Sequence, residues 1–277
     1  MLSIIKDEVL AIKEKYATPR LCEIVPDEGD IAIEDLIAND GMIVSLSHRG
    51  YIKRTAASEY RTQSRGGKGM RGMETRTANE DEDDFVETLF SAGAHDYLMF
   101  FTNTGRAYIQ RVYDIPEGSR ASKGRNIKNV LNLQADEKVA TVLRVERKLN
   151  EQGEDGTFDE GSGFVFFATR TGKVKKTALY DFRNFRKDGI IAIKLEEDNE
   201  LIGVRLTSGS DEVVLVTHNG LSLRFDETQS RSMGRTAAGV AGIKPVKGDF
   251  VVGVAIVDPE ATSVSYTHLT LPTNREV

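Results

Sequence analysis

The amino-acid sequence predicts an all-β fold, a propeller-like array of four-stranded blades that follows a short N-terminal helix. Three observations indicate this fold. A strand, turn and strand pattern recurs four times, a polar loop with arginine and glycine follows each copy, and an apolar strand closes each unit. A period of roughly 50 residues with this content is typical of blade architectures.

Each repeat opens with an apolar run that leads to Ser or Thr, two further residues and a glycine. The four runs are residues 42–50, 97–105, 164–172 and 213–220. A second run, which carries cations, follows each glycine. Because glycine takes a positive φ at little steric cost, the pattern predicts a β-hairpin with glycine in its turn.

The rest of each repeat predicts two further strands. Polar loops occupy residues 65–69, 120–124, 186–189 and 235–239. They usually lead into a short apolar segment such as Ile190 and Ile191. An acidic turn and a last apolar strand follow, at residues 85–89, 139–143, 201–204 and 251–254. Four strands per repeat complete one predicted blade.

Several segments are interpreted as lying outside the regular repeat. Leu2, Ile5, Val9 and Ile12 have helical 3-4-3 spacing, so a helix is predicted to end before Pro19. The predicted organisation is a helix within residues 1–20, a linker at 21–41, the repeats at 42–258 with an acidic, disordered insertion at 148–163, and a tail at 259–277 outside the domain. We interpret the chain as a fragment of a longer protein.

Composition narrows the function classes. One cysteine, Cys22, and four dispersed histidines give no metal-binding motif and no pair for an intramolecular disulfide. The sequence shows neither an apolar run that could span a membrane nor a signal peptide, so we expect a cytoplasmic protein without membrane contact. We also expect no bound catalytic metal.

The charge is segregated along the chain. A net charge of −6 argues at first against a polyanionic partner, yet residues 48–76 hold eight Lys and Arg against two acids. Residues 169–194 are similarly basic. Since cationic loops and hairpins recur in each repeat, a propeller would place them on one rim.

Residues 67–72 formally match the GxGxxG pattern of dinucleotide sites. Such a site requires a helix directly after the glycines, and here acids follow without helical periodicity. Nucleotide binding is therefore disfavoured. Considered alone, this stretch is also compatible with a solvent-exposed loop that binds no ligand and whose charges only keep the protein soluble.

The stretch QSRGGKG at residues 63–69 closely resembles the gyrase A box, the signature of the C-terminal domains of DNA gyrase A subunits. Six residues agree with the box, and Ser64 replaces the usual cation at its second position. The six are Gln63, Arg65, Gly66, Gly67, Lys68 and Gly69. Stretches such as 46–54 and 233–243 also resemble the blades of that family.

The resemblance implies a β-pinwheel, whose blades share strands with their neighbours, with duplex DNA wrapped around a basic rim. Cations and glycine amides would contact phosphates, so binding should be largely independent of sequence. Beyond the six box residues, the expected DNA-binding residues are Arg71, Arg49, Lys53, Arg54, Arg106, Arg120, Lys123, Arg125, Lys173, Lys175, Lys176, Arg224 and Arg235.

In that family, wrapping enables ATP-dependent negative supercoiling by the whole topoisomerase. The resemblance implies that the whole enzyme, which uses ATP and magnesium, pairs this chain with a second A subunit, together with gyrase B subunits. This fragment is expected to need no cofactor and to lack the DNA-cleaving tyrosine. The related domain of the topoisomerase IV A-type subunit, which lacks the box, and a propeller-type scaffold for protein interactions remain alternatives.

Overall fold

The computed structural model describes residues 2–18, 33–60, 72–73, 84–135, 137–151 and 153–258. The chain divides into two compact units, Met1–Ile37 and Ala38–Val277. The first unit contains helix α1 (Leu2–Tyr16) and a 3₁₀ turn (Ile33–Leu36). The predicted N-terminal helix is confirmed.

The second unit is built from short strands. In chain order they are β1 (Gly41–Ser47), β2 (Tyr51–Ala56), β3 (Val86–Gly93), β4 (Tyr97–Thr102), β5 (Arg106–Arg111), β6 (Arg125–Asn126), β7 (Val139–Val145), β8 (Phe164–Thr169), β9 (Lys173–Ala178), β10 (Ile190–Ile191), β11 (Leu201–Thr207), β12 (Glu212–Thr217), β13 (Ser222–Asp226), β14 (Val240–Ala241) and β15 (Val251–Ile256). Five 3₁₀ turns accompany them among the described residues of this unit.

The strands form four antiparallel sheets, which we number as blades one to four. Their strand orders are β3-β1-β2-β6, β10-β5-β4-β7, β11-β8-β9-β14 and β13-β12-β15. Blade four has three strands in the described part of the chain. The all-β prediction is thus confirmed.

The fourth strand of blades one to three comes from the following repeat. Strand β6 of repeat two pairs with β2 of blade one, β10 of repeat three with β5 of blade two, and β14 of repeat four with β9 of blade three. We call residues 116–126, 186–193 and 231–243 the exchange segments. The sharing of strands expected of a β-pinwheel is therefore confirmed, whereas assigning all four strands of a blade to one repeat is wrong.

Backbone hydrogen bonds show why the chain crosses to its neighbour. After β5, a 3₁₀ turn (Val112–Asp114) directs the chain back to blade one. There the Arg54 amide donates to Pro116 O and the Gly118 amide donates to Arg54 O, both at 3.0 Å. The exchange segment thereby satisfies backbone groups along the exposed edge of β2.

The apolar cores lie between successive blades. In β8, Val165 and Phe167 join the core shared with blade two, whereas Phe166 and Ala168 join the core shared with blade four. Alternate side chains of a strand point to opposite faces, so a strand buried on both faces is apolar throughout. The Phe167 ring meets Phe101 of blade two edge-on, with ring centroids 5.4 Å apart.

The hairpin predictions are confirmed at the turns. Strands β1–β2, β4–β5, β8–β9 and β12–β13 are antiparallel pairs. The turn glycines Gly50, Gly105, Gly172 and Gly220 have φ between 81° and 86°. This is the left-handed region that glycine adopts most readily.

The prediction of disorder at residues 148–163 is wrong for the residues that the structure describes. Phe158 is 8% exposed and belongs to the core between blades two and three. Leu149 and Asp155 form a β-bridge, and Asp155 accepts hydrogen bonds from blade two. Low apolar content did not prevent order because one aromatic ring and one carboxylate find specific partners.

Three predicted features lie outside the described residues: the box at 63–69, most of the linker at 21–41, and the tail at 259–277. In the described ranges, no helix has both the length and the apolar content needed to cross a membrane.

Candidate nucleic-acid interface

The exchange segments bring cations to corresponding edges of three successive blades. Seven Lys and Arg residues lie in these segments against two acids, Glu117 and Asp188. The cations are Arg120, Lys123 and Arg125 on blade one, Arg186 and Lys187 on blade two, and Arg231 and Arg235 on blade three. We call this set the basic exchange edge.

Several of these cations face solvent. Arg125, Arg186, Lys187 and Arg231 are exposed, while Arg120, Lys123 and Arg235 are partly buried. The Lys123 ammonium lies 4.2 Å from the centroid of the Tyr51 ring in β2. This cation–π contact holds the Lys123 side chain against blade one.

Glycines allow the exchange segments to approach the preceding blade. Gly124 and Gly239 have φ of 85° and 89°. A Cβ at Gly124 would lie 2.7 Å from Ile52 O, and one at Gly239 would lie 2.5 Å from Val174 O. These positions exclude side chains, so the loops that carry the cations lie directly on β2 and β9.

Two predicted phosphate contacts, Lys53 and Lys175, are instead buried. Both residues are 0% exposed. Lys53 Nζ donates to the carbonyl oxygens of Ser119, Arg120 and Ser122. Burial lowers the pKa of Lys53, and the charge of Glu59 opposes the shift. The structure thus contradicts a role for either ammonium in direct contact with DNA.

Lys176 is also buried, at 6% exposure, which corrects its prediction as a surface cation. Its Nζ donates to Glu227 O at 3.1 Å and lies 3.9 Å from Glu227 Oε2. Glu227 is itself fully buried and accepts from the amides of Gly209 and Asp211. The Lys176 ammonium is enclosed by the Phe164 ring and by the turns that carry Gly209 and Glu227.

Four further predicted residues form ion pairs within the fold. The pairs are Arg54 with Glu117, Arg106 with Glu137, Lys173 with Glu196, and Arg224 with Glu212. A phosphate would have to compete with each of these carboxylates. Arg49 lies exposed at the first hairpin turn, where its amide donates to Asp84 at 3.0 Å.

Sequence reasoning did not select three cations of the basic exchange edge. Arg186, Lys187 and Arg231 occupy exchange segments and are exposed. The repeated polar loop was a sufficient signal for Arg186, because both loops begin with Arg and end with Gly, which aligns Arg186 with Arg120. The box residues and Arg71, which were selected, lie outside the described residues.

The chemistry of the edge suits a polyanion. Lys and Arg side chains are the groups that neutralise phosphates in nucleic-acid complexes, and here they recur on successive blades. Among the described residues, no group of three His, Cys, Asp or Glu could hold a metal ion.

Comparison with known proteins agrees with the fold. The family profile described as DNA gyrase C-terminal domain, beta-propeller, matches residues 41–92, 96–146, 163–208 and 211–258, one segment for each repeat. The solved C-terminal domain of DNA topoisomerase IV aligns with a TM-score of 0.61 and 29% identity, covering 80% of this chain and 62% of that chain. A DNA gyrase A C-terminal domain aligns with a TM-score of 0.58 and 26% identity, covering 79% and 65%.

Curated relatives extend the similarity to nearly the whole chain. The DNA gyrase A protein of Salmonella typhimurium is 41% identical over 267 residues, which is 96% of this chain and 29% of the relative. The DNA gyrase A protein of Clostridium acetobutylicum is 43% identical over 242 residues, which is 87% of this chain and 27% of the relative. The chain thus spans less than a third of these relatives. Its fold and the profile match to all four repeats show that it belongs to the DNA gyrase C-terminal domain family.

Proposed function

We propose that residues 42–258 bind and wrap duplex DNA as the C-terminal domain of a gyrase A protein. The observation that supports this proposal most strongly is the basic exchange edge, which repeats cations on three successive blades. Each cation that neutralises a phosphate releases a counterion, so affinity comes from the number of contacts. Base readout is not required.

Wrapping requires a continuous track. Duplex DNA has a persistence length of about 50 nm, and bending a site of 20–30 base pairs by 40–90° costs roughly 1–6 kcal/mol. Contacts on one blade would release the duplex after a short distance. Corresponding contacts on neighbouring blades distribute the bending cost along the path.

In the whole enzyme, the proposed wrap would present a DNA crossing for ATP-dependent strand passage and so enable negative supercoiling. The proposed partners, in the cytoplasm, are gyrase B subunits together with a second gyrase A protein. ATP and magnesium would act in parts of the enzyme beyond these blades, as would the DNA-cleaving tyrosine.

Salt-dependent binding of a random-sequence duplex tests the proposal. We expect the logarithm of the association constant to fall linearly with the logarithm of salt concentration, with a slope of about −0.9 for each phosphate neutralised. Equal affinities for unrelated duplexes would support sequence-independent binding. A flat salt dependence would contradict the proposal and favour a protein-interaction scaffold.

A further inference from the structure

In the first three hairpins, one position of the second strand faces the exchange segment of the next repeat. It is the third residue after the turn glycine, and it holds Lys53, Tyr108, Lys175 and Leu223 in repeats one to four. Lys53, Tyr108 and Lys175 are at most 1% exposed. In these three repeats, the residue therefore lies beneath an exchange segment.

The buried residues at this position make chemically different contacts, but each of them contacts an exchange segment. Lys53 Nζ donates to Ser119 O, Arg120 O and Ser122 O at 2.9, 2.6 and 2.9 Å. Tyr108 packs against Gly189, where an added Cβ would come within 2.8 Å of the ring. Leu223 belongs to blade four, which has no exchanged strand among the described residues.

Lys175 connects two exchange segments. Its Nζ donates to Ala192 O at 2.6 Å and to Arg235 O at 2.5 Å. Ala192 lies in the segment that repeat three places on blade two, and Arg235 lies in the segment that repeat four places on blade three. A single buried side chain therefore fixes loops on neighbouring blades.

We propose that Lys53 and Lys175 are positioning residues for DNA binding, which fix the conformation of the cationic loops without contacting phosphate. Lys53 holds the backbone of the loop that carries Arg120, Lys123 and Arg125. Because three carbonyls of this loop converge on one buried ammonium, its backbone path is fixed, and so are the positions from which its cationic side chains extend. This inference rests on the proposed function, and its test separates the two.

The principal test replaces Lys53 by Met, which keeps an unbranched chain of similar length and removes all three donors. The same change is made in a background in which Arg120, Lys123 and Arg125 are Ala. We expect Lys53→Met alone to reduce the salt slope of duplex binding by about 2–3, close to the effect of the triple change, at about 0.9 per phosphate. In the triple background we expect no further reduction.

A direct phosphate contact gives a different pattern. Lys53→Met would then reduce the slope by about 1 in both backgrounds. That result would overturn the proposal. Lys128→Ala is the matched control, because Lys128 is an exposed lysine close to the same loop. We expect it to lower the slope by at most about 1.

Hydrogen exchange examines the loop without DNA. The Ser122 amide donates to Ser119 O and the Gly118 amide to Arg54 O, both at 3.0 Å. We expect both amides to exchange at least tenfold faster in Lys53→Met, while the Gly172 amide in blade three keeps its protection. Unchanged exchange at Ser122 and Gly118 would overturn the proposal even if DNA binding is confirmed. Absence of salt-dependent binding by the unmodified chain would instead reject the DNA function alone.

Lys175→Met provides the second variant if Lys53→Met fails to fold. It is compared in the unmodified chain and in a background in which Arg186, Lys187, Arg231 and Arg235 are all Ala, because Lys175 contacts both segments that carry these cations. A slope reduction of about 3–4 in the first, at about 0.9 per phosphate, and none in the second supports positioning. Equal reductions in both would contradict it.

Discussion

Tyr97 donates a 2.7 Å hydrogen bond from its hydroxyl group to Oδ2 of Asp155. Arg111 donates to the same oxygen, also at 2.7 Å, and its guanidinium lies 3.8 Å from the centroid of the Tyr97 ring. Burial alone would raise the pKa of Asp155, but hydrogen bonds from Thr157 and Tyr97 and the charge of Arg111 hold it below its ordinary value. These contacts therefore hold the insertion at residues 148–163 against blade two.

The first prediction follows from this contact. Asp155→Ala leaves the partly buried donors of Tyr97 and Arg111 without their common acceptor, so we expect the free energy of unfolding to fall by about 2–3 kcal/mol. Urea denaturation measures the change. Glu160→Ala removes an exposed acid from the same segment and should change stability by less than about 0.5 kcal/mol. Similar losses for both variants would show that the Asp155 contact contributes little.

The second prediction concerns the pH dependence of stability. Burial lowers the pKa of Lys175 to about 8, with Asp181 raising it and Arg235 lowering it further. A neutral amine still has two hydrogens for the two carbonyls that it contacts. Because the folded pKa lies below the ordinary value of 10.5, the unfolded chain binds more protons between these limits, and stability rises with pH there.

We therefore expect the unmodified chain to gain stability relative to Lys175→Met as pH rises from 8 towards 10. The slope should approach but not exceed about 1.4 kcal/mol per pH unit. Chemical denaturation at matched pH values measures the difference, and effects of tyrosines common to both proteins cancel. A constant difference over this range would contradict the lowered pKa.

The third prediction tests the close approach of an exchange segment. Gly124→Ala introduces a Cβ that would lie 2.7 Å from Ile52 O at a φ of +85°. A left-handed residue with a side chain costs roughly 1–2 kcal/mol, and the contact adds to this cost. We expect a loss of about 3 kcal/mol in unfolding free energy.

Gly248 is the matched control, because its φ is +86° and no atom lies within 4 Å of an added Cβ. Gly248→Ala isolates the backbone cost and should lose about 1–2 kcal/mol. If both variants lose the same amount, then the approach of residue 124 to β2 contributes nothing.

The fourth prediction separates holding DNA from bending it. Arg186→Ala with Lys187→Ala should reduce the salt slope by about 2. We expect Arg65→Ala with Lys68→Ala to reduce it similarly, but to lower end-to-end energy transfer on a labelled duplex of about 150 base pairs more sharply, since the first repeat would hold one end of the path. Equal losses of energy transfer in the two double variants would show that the box contributes no more to wrapping than another basic patch does.

The sequence predicted local features more reliably than long-range ones. Turn glycines such as Gly50 and apolar strands such as β4 follow from conformational preference and periodicity, which are local. Local sequence does not decide whether a cationic side chain faces solvent or the interior. Arg125 and Lys53 look alike in sequence, yet the exchange segment exposes one and covers the other. Likewise, the order of residues 148–163 depends on Tyr97 and Arg111, which lie some 40–60 positions away.

The exchange of strands also means that repeats and blades are out of phase along the chain. Removing repeat four by cutting after residue 208 would delete blade four and also strip β14 from blade three. Every such cut leaves unpaired backbone groups along one edge of a sheet whose other strands remain. Each of the first three blades contains a strand of the following repeat. Loss of one repeat should therefore destabilise the blade before it, and unfolding should spread from the cut end.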